Sequence, residues 1–272
     1  MTDRPLRDTV AIVTGASRGV GKGIALGLGE AGATVYVTGR TIEPGPIPGT
    51  LGETVAEIDA LGGRGIAVRC DHAVDADVER LFAQVQAEQG RLDVLVNNAF
   101  AIPDGRIRAP FWELPIEQWD LVHTVGLRSH YVAAVHATRM MLPARRGLIV
   151  NVSSFGAKVY AVSVPYGVGK AGVDRMSRDM GRELREHGIT AISLWPGIVK
   201  TERLAIEPER LGDDPTLGES PQLSGRAVAA LAADPKVIEK TGQALVVAEL
   251  AREYGFTDLD GTVPASLRKP AS

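Results

Sequence analysis

The sequence is poor in cysteine, and this shortage excludes several classes of protein. Cys70 is the single cysteine among 272 residues, so no disulfide can form within the chain and a cysteine-based metal site is not expected. We predict no metal among the site residues. No apolar run approaches the roughly 18 residues of a membrane-spanning helix. The first ten residues also lack the apolar centre of a secretory signal. We therefore expect a cytoplasmic protein without a membrane span.

The chain also lacks a surplus of positive charge. It has 30 Lys and Arg against 33 Asp and Glu, which gives a net charge of −3. Proteins that bind nucleic acids normally carry a basic surplus or stripe, so no nucleic-acid partner is predicted. Apolar residues make up 44%, as in a globular protein. Because no linker divides the chain, we expect residues 1–272 to form a single domain.

Short β-branched runs alternate with longer helical segments along most of the chain. The early strands are almost continuously apolar, which is typical of parallel strands covered on both faces. The alternation predicts an α/β fold with a doubly wound, mainly parallel, seven-stranded sheet and helices on both faces. The predicted strands are Val10–Thr14, Thr34–Thr38, Gly65–Arg69, Val94–Asn97, Leu148–Ser153, Thr190–Leu194 and Gly242–Val247. The predicted helices include Gly21–Ala31, Leu51–Leu61, Asp75–Gln89, Ile116–Leu142 and Val164–His187.

Three segments depart from this alternation. The first, Thr41–Thr50, carries three prolines and is expected to be an irregular loop. The second, residues 201–224, is rich in Pro, Gly, Asp and Glu; we interpret it as a flap on the substrate side, with an ordinary surface excursion as the alternative. The third, residues 255–272, is expected to be an irregular C-terminal tail.

The first strand runs directly into a glycine-rich turn, Thr14–Gly21 (TGASRGVG), which a helix follows. Glycines here allow the backbone to curl tightly and to approach a pyrophosphate, whose charge then lies at the helix N-terminus. A simple tight turn between strand and helix is the alternative. The cofactor-binding residues predicted in this turn are Gly15, Ser17, Arg18, Gly19, Val20 and Gly21.

The end of the second strand indicates which nucleotide binds. NAD-binding proteins usually place an acidic residue there, against the ribose 2′-hydroxyl. This chain has Gly39 and Arg40 instead, and Arg18 lies in the glycine turn. Guanidinium groups match phosphate oxygens with paired hydrogen bonds, so we predict NADP(H) in preference to NAD(H). The alternative is that one or both arginines are solvated surface charges.

A tyrosine and a lysine lie four residues apart on a predicted helix. Tyr166 and Lys170 therefore share one face of that helix and can act together. Such a pair is common on helix surfaces, and it becomes informative here because Ser153 and Ser154 end the preceding strand downstream of the glycine turn.

These residues, with Asn97-Asn98-Ala99 after the fourth strand and Pro196-Gly197 before Thr201, resemble the short-chain dehydrogenase/reductase family over about residues 8 to 204. The resemblance implies a Rossmann-type fold and hydride transfer between NADP(H) and a carbonyl or secondary alcohol. Four stretches are more narrowly similar to the dehydrogenase/reductase member 1 subgroup. They are Val125–Tyr131, Val164–Ala171, Ser193–Glu202 and Leu250–Gly261.

The resemblance also implies a role for each residue. Tyr166 would be the general acid in reduction, and its phenolate the base in oxidation. A free tyrosine has a pKa near 10, so a nearby cation such as Lys170 is needed to lower it. Lys170 and Tyr166 would also contact the cofactor, and Ser154 would orient the substrate oxygen. Further implied cofactor contacts are Asp71, His72, Asn98, Ala99, Pro196, Gly197, Ile198 and Thr201.

The chain departs from the family pattern at three points. Phe100 stands where the family has glycine after Asn-Asn-Ala, and Gly126 aligns with the family's catalytic asparagine. The third point is the serine register. Counting from Gly147 along the strand selects Ser154, whereas counting back from Tyr166 selects Ser153. We select Ser154, because the strand admits no gap and the loop after it can be shorter.

Substrate and partners are only broadly indicated. The predicted substrate is a small, moderately hydrophobic carbonyl compound or alcohol. The resemblance implies a homodimer or homotetramer built on the helices Ile116–Leu142 and Val164–His187. Two other functions stay open: a nucleotide-binding sensor or scaffold without turnover, and a related reaction such as dehydration or epimerisation.

Overall fold

The computed structural model describes residues 4–211, 214 and 217–268. Its strands form one sheet in the order β3-β2-β1-β4-β5-β6-β7, and every neighbouring pair is parallel. The predicted α/β architecture, with a doubly wound sheet, is confirmed. The strands are β1 Val10–Thr14, β2 Thr34–Gly39, β3 Arg64–Arg69, β4 Val94–Asn97, β5 Gly147–Val152, β6 Ile189–Trp195 and β7 Ala244–Val246.

Helices cover both faces of this sheet. One buried cluster joins the sheet to α1, α2, α9 and α10, and a second joins it to α3, α5 and α6. The first seven helices are α1 Gly19–Glu30, α2 Leu51–Leu61, α3 Asp75–Gln89, α4 Glu117–His123, α5 Ser129–Met141, α6 Val164–Leu184 and α7 Glu202–Ile206. The last three are α8 Pro208–Leu211, α9 Pro221–Ala233 and α10 Val247–Tyr254.

The two cores explain why the central strands are apolar at successive positions. In β1, Val10 and Ile12 belong to one core, whereas Ala11 and Val13 belong to the other. Successive side chains of a strand point to opposite faces, so a strand buried on both sides needs no polar alternation.

The predicted helix Ile116–Leu142 is helical in the structure from Glu117 to Met141, but it is not α-helical throughout. A π-helical turn, Thr124–Arg128, separates α4 from α5. Such a turn inserts one extra residue into a helix, and it is frequent at functional sites. Gly126 lies at its centre and is buried. Hydrophobic periodicity did not predict this interruption, because helix continues on both sides of it.

The helices α1 and α9 approach each other through glycines. A methyl group built on Gly27 would lie 2.4 Å from the carbonyl carbon of Gly225, and one on Gly23 would lie 2.1 Å from the carbonyl oxygen of Pro221. Such distances are well inside van der Waals contact. This crossing fixes α1, and therefore the glycine turn before it, against the rest of the molecule.

The predicted flap contains two short helices, α7 and α8, and returns through a bridge between Val199 and Glu219. Its last four residues, 221–224, belong to α9 and pack into the core with that helix. Residues 212, 213, 215 and 216 of the flap, and 269–272 of the predicted tail, lie outside the described residues. Between 255 and 268 the backbone forms neither helix nor strand. In the described part of the chain, no helix has the length and apolarity to span a membrane.

Candidate active site

A cavity of about 470 Å³ opens at the carboxyl ends of β4, β5 and β6. Ligands of doubly wound sheets bind at this edge, where helices diverge to either side. Half of the predicted site residues meet in its wall, although they come from distant parts of the sequence. They are Val20, Asn98, Ser154, Tyr166, Lys170, Pro196, Gly197, Ile198 and Thr201.

Tyr166 and Ser154 form the polar centre of this cavity. The helix α6 begins at Val164, and the Ser163 hydroxyl caps it by accepting a hydrogen bond from the Tyr166 N–H. This places Tyr166 in the first turn, where its hydroxyl donates a 2.8 Å hydrogen bond to Ser154 Oγ. Ser154 Oγ also accepts a bond from the Gly156 N–H, which fixes its rotamer.

Ser153 is turned away from the cavity centre. Its side chain is buried, and its hydroxyl donates to the backbone carbonyl of Lys170 at 3.1 Å. Neighbouring residues of an extended segment point to opposite faces, so one serine reaches the phenol and the other supports α6. Both serines line the cavity, and the Tyr166 hydroxyl is hydrogen-bonded to Ser154.

Lys170 lies one turn after Tyr166 and is 7% exposed. Its ammonium donates a 3.0 Å hydrogen bond to the carbonyl of Val152. Burial lowers the pKa of Lys170 to about 8, and the carboxylate of Asp174 on the next turn opposes this shift. A lysine with such a pKa keeps a substantial charged fraction at neutral pH and can exchange its proton readily.

The glycine turn is tied to the end of β4 by Asn98. Its side-chain amide donates to the carbonyls of Thr14 and Gly15, at 2.9 and 3.0 Å. The Thr14 hydroxyl in turn accepts the backbone N–H groups of Asn98 and Ala99. Gly15 has φ +66°, and a methyl group there would lie 2.9 Å from Ala99 Cα. The turn therefore requires glycine at this position, and its backbone is held rigidly.

The N-terminus of α1 fits the pyrophosphate of a dinucleotide. Its first turn contains no acidic residue, and Arg18 at the N-cap supplies no side-chain cap. The backbone N–H of Gly19 is instead bonded to the carboxylate of Glu202, from α7, at 2.7 Å. The dipole and the N–H groups of a helix N-terminus favour a negative charge, and in this structure the Glu202 carboxylate supplies it. Glu202 gave no signal in the sequence beyond its place after Thr201.

The other predicted cofactor residues surround this turn. Arg18 is half-buried and donates to the Gly49 carbonyl, whereas Arg40 is exposed at the end of β2. Asp71 follows β3, and its carboxylate accepts the Ala73 N–H. His72 is buried, and its two ring nitrogens face the Thr38 hydroxyl and the Cys70 thiol, so its side chain points into the protein.

Glu219 lies behind the cavity wall, bonded to Gly197, and was not among the residues predicted from the sequence. It is 2% exposed, and its carboxylate accepts the backbone N–H of Gly197. Its other oxygen, Oε1, is buried without a hydrogen-bond partner. Burial raises the pKa of Glu219 to about 7, and the negative charge of Asp258 adds to the shift. In sequence, Glu219 is one acid among several in the flap, so only its burial identifies it.

Fold and site together define a nicotinamide-dependent oxidoreductase of the α/β class. The family model for short chain dehydrogenases matches residues 9–210, and the chain belongs to this family. It is 46% identical to dehydrogenase/reductase SDR family member 1 of Mus musculus, over 94% of this chain and 85% of the mouse protein. This similarity confirms the narrower resemblance seen in the sequence.

Solved structures of the family contain the expected cofactors. A metagenomic short-chain oxidoreductase in complex with NADP superposes with a TM-score of 0.73 at 29% identity, over 89% of this chain and 97% of that one. A variant of actinorhodin polyketide ketoreductase with NADPH gives 0.79 at 30% identity, over 88% and 95%. Within the residues described here, no group of three or more His, Cys, Asp or Glu side chains could hold a metal.

Proposed function

We propose that this enzyme is an NADP(H)-dependent carbonyl reductase, with Tyr166, Ser154 and Lys170 as its catalytic residues. One observation carries the proposal: the Tyr166 hydroxyl is hydrogen-bonded to Ser154 Oγ at 2.8 Å, in a cavity that also contains the buried Lys170. The similarity to dehydrogenase/reductases, one of them a ketoreductase with NADPH, supports it.

Each of the three side chains has a definite task in reduction. When bound, the nicotinamide supplies a hydride to the carbonyl carbon. Tyr166 donates its hydroxyl proton to the carbonyl oxygen, so that the products are an alcohol and a phenolate. Ser154 donates a hydrogen bond to the same oxygen and orients it. The Lys170 ammonium stabilises the phenolate by its charge. In oxidation the same proton moves in the opposite direction.

The nucleotide is held by the glycine turn and its neighbours in this proposal. The backbone of Gly15, Gly19 and Val20 would face the phosphates, and Asn98-Ala99 would face the nicotinamide side. A preference for NADP(H) is supported by the guanidinium of Arg40, exposed at the end of β2 where NAD-binding proteins carry an acid. Arg18 lies in the turn between the two and would contribute a second positive charge.

The substrate is proposed to be a moderately hydrophobic ketone or aldehyde. Beyond the polar centre, aliphatic side chains dominate the cavity wall, and two of them, Leu204 and Leu211, come from the flap. A wall of this kind favours burial of a hydrocarbon group beside the reacting carbonyl. The other aliphatic members are Val20, Ile102, Ile107, Val122, Val152, Val162, Ile198, Val199 and Leu267.

We further propose that the chain works as a single domain, in the cytoplasm, as a homodimer or homotetramer. Exposed apolar side chains on α6, Val164 and Val168, support the use of this helix in assembly. Sedimentation at micromolar concentration checks the oligomer, and monomer alone would contradict it. Fractionation of cells that express the chain checks its location.

Turnover with a panel of ketones and aldehydes tests the proposed chemistry. Oxidation of NADPH is followed for the parent and for Tyr166→Phe, which removes the proton donor. General acid catalysis contributes about 10²–10⁴-fold, so we expect a loss of that size in kcat/KM. Tyr160→Phe is the matched control, because Tyr160 is 73% exposed and lies outside the cavity wall.

The two serines provide a second test. Ser154→Ala should lower the rate roughly a hundredfold, because it removes a hydrogen-bond donor to the reacting oxygen. Ser153→Ala should mainly lower stability, because its hydroxyl supports the α6 backbone. A large loss only at position 153 would overturn the assignment. Binding of NADPH without turnover across the panel would favour the sensor or scaffold.

A further inference from the structure

The two departures from the family pattern, Phe100 and Gly126, meet inside the site. A methyl group built on Gly126 would lie 2.6 Å from Cδ2 and 2.9 Å from Cε2 of the Phe100 ring. Carbon atoms in favourable contact are about 3.5–4.0 Å apart. The ring of Phe100 therefore occupies the volume into which any side chain at position 126 would project. The π-helical turn at Thr124–Arg128 presents Gly126 to this ring.

The same ring contacts both members of the catalytic pair. Lys170 Nζ lies over the Phe100 ring, 4.9 Å from its centroid, which is within the range of a cation–π interaction. The Tyr166 ring packs against Phe100 at 88°, with centroids 5.8 Å apart. This perpendicular arrangement is favourable for two aromatic rings. Phe100 thus lies against the ammonium, the phenol ring and the glycine of the π-helical turn.

We propose that Phe100 is a positioning residue for the Tyr166–Lys170 pair. Its ring, fitted against Gly126, stabilises the buried ammonium by its π-face and holds the phenol ring in place. The proposal rests on the catalytic assignment made above. The two departures, Phe100 and Gly126, then depend on each other: the ring at position 100 fits only because position 126 carries no side chain. We call this dependence the coupled exchange.

The electrostatic part is tested on Lys170 itself, without cofactor or substrate. The chain is labelled with ¹³C and ¹⁵N at lysine, and the Lys170 side chain is titrated by NMR. Phe100→Leu keeps an apolar side chain but removes the π-face, so the charged form loses stabilisation and the pKa should fall by about half a unit or more. Phe100→Ala opens the site to water, which favours the charged form, so the pKa should rise.

A second phenylalanine of the same cavity provides the matched control. Phe155 also lines the cavity, and its ring packs on Trp195 with centroids 6.1 Å apart. Phe155→Leu makes the same chemical change without removing a ring from Lys170, so the Lys170 pKa should not move. If Phe100→Leu and Phe155→Leu give the same Lys170 pKa as the parent, the proposal is wrong.

The steric part is tested by thermal unfolding of a double-mutant cycle. Gly126→Ala should lower the unfolding midpoint in the parent, because its methyl group meets the ring. In the Phe100→Ala background the same change should not lower the midpoint, because the ring is gone. Equal lowering in both backgrounds would overturn the coupled exchange. If Gly126→Ala alone fails to fold but the double variant Phe100→Ala/Gly126→Ala folds, the result also supports the coupled exchange.

Kinetics then connect the ring to catalysis. In Phe100→Leu, the pH profile of kcat/KM for NADPH oxidation should move in the same direction as the Lys170 pKa. If Tyr166→Phe proves fully active, the proposed function fails while the NMR titration and the unfolding cycle keep their meaning. A moved Lys170 pKa with an unchanged pH profile would confine Phe100 to a structural role and overturn its role as a positioning residue.

Discussion

Glu219 is a carboxyl group buried at the base of the flap, and it makes the stability of the protein depend on pH. Its pKa rises from 4.5 to about 7 on folding, because burial disfavours the charged form. The folded state therefore holds this proton more tightly than the unfolded state. Its contribution to stability is fully present below about pH 4.5 and is lost as the pH rises through about 7.

We predict that Glu219→Gln removes this dependence. Relative to the parent, the variant should gain about 2.5 kcal/mol of unfolding free energy between about pH 5 and pH 8, by linkage. Urea unfolding at the two pH values measures the change. Glu43→Gln, an exposed residue of the loop after β2, serves as the control and should show none. Parallel curves for parent and Glu219→Gln would contradict the prediction.

Some individual residues of the site could be predicted from the sequence, and others could not. Tyr166 and Lys170 were selected from their helical spacing together with the glycine turn and the serines before them, and Ser154 from an ungapped strand; the structure brings all three to one cavity wall. Glu202 and Glu219 could not be predicted, because their roles come from contacts to Gly19 and to Gly197, far away in sequence. Phe100 was visible as a departure, but its contact with Gly126 depends on a π-helical turn that residue periodicity does not encode.

Between elements, the crossing of α1 and α9 depends on the absence of side chains. A methyl group on Gly225 would lie 2.1 Å from the carbonyl oxygen of Gly23, and 3.2 Å from Gly27 Cα. Backbone atoms of a packed helix cannot shift as a flexible side chain can. Gly23 and Gly27 of α1 are therefore required for packing against α9.

We predict that Gly225→Ala destabilises the protein by ~3 kcal/mol or more, the upper range of overpacking, because backbone must move. Gly52→Ala is the matched control. Gly52 lies in α2, and a methyl group there meets nothing closer than Thr50 Oγ1 at 4.0 Å. It should stabilise the protein by roughly 0.5–1 kcal/mol through helix propensity. Urea unfolding midpoints measure the stability of both variants. Equal effects of Gly225→Ala and Gly52→Ala would show that the crossing of α1 and α9 does not require glycine at position 225.

The elements themselves were largely predictable from patterns. β1, β4, α2 and α3 have the predicted bounds, because apolar runs or helical periodicity end there at turn residues. Other boundaries moved by one to three residues, for example where α6 ends at Leu184 and a short 3₁₀ turn follows. The flap could not be predicted in detail, since its short helices are set by contacts with the glycine turn and the cavity rather than by their own periodicity.

At the scale of the whole molecule, a nucleotide that binds only the folded chain raises its stability. At a hundredfold excess over Kd the gain is about 2.7 kcal/mol. For a chain of this size, that corresponds to a rise of the melting temperature by roughly 5–10 °C. We predict such a rise with NADPH and a smaller one with NADH at equal concentration, because in the proposed site Arg18 and Arg40 would bind the 2′-phosphate.

Arg40→Ala should bring the NADPH shift down toward that of NADH, with Arg18 keeping part of the difference, and leave the NADH shift unchanged. A hydrogen bond between charged groups contributes about 1.5–3 kcal/mol, which is enough to account for the difference. Arg139→Ala, an exposed arginine of α5, is the control and should alter neither shift. An NADH shift equal to or larger than that of NADPH would contradict the assignment of the nucleotide.

The contact between Glu202 and the Gly19 amide bears on the order of events in a catalytic cycle. One N–H cannot serve a carboxylate and a pyrophosphate together, so loading the nucleotide would exchange one anion for another at the start of α1. The displaced residue, Glu202, is the first residue of α7, the helix that places Leu204 in the cavity wall. A nucleotide bound at the start of α1 would thereby move α7 and change the shape of the cavity. Product-inhibition kinetics should then show an ordered mechanism, in which the coenzyme binds first and dissociates last.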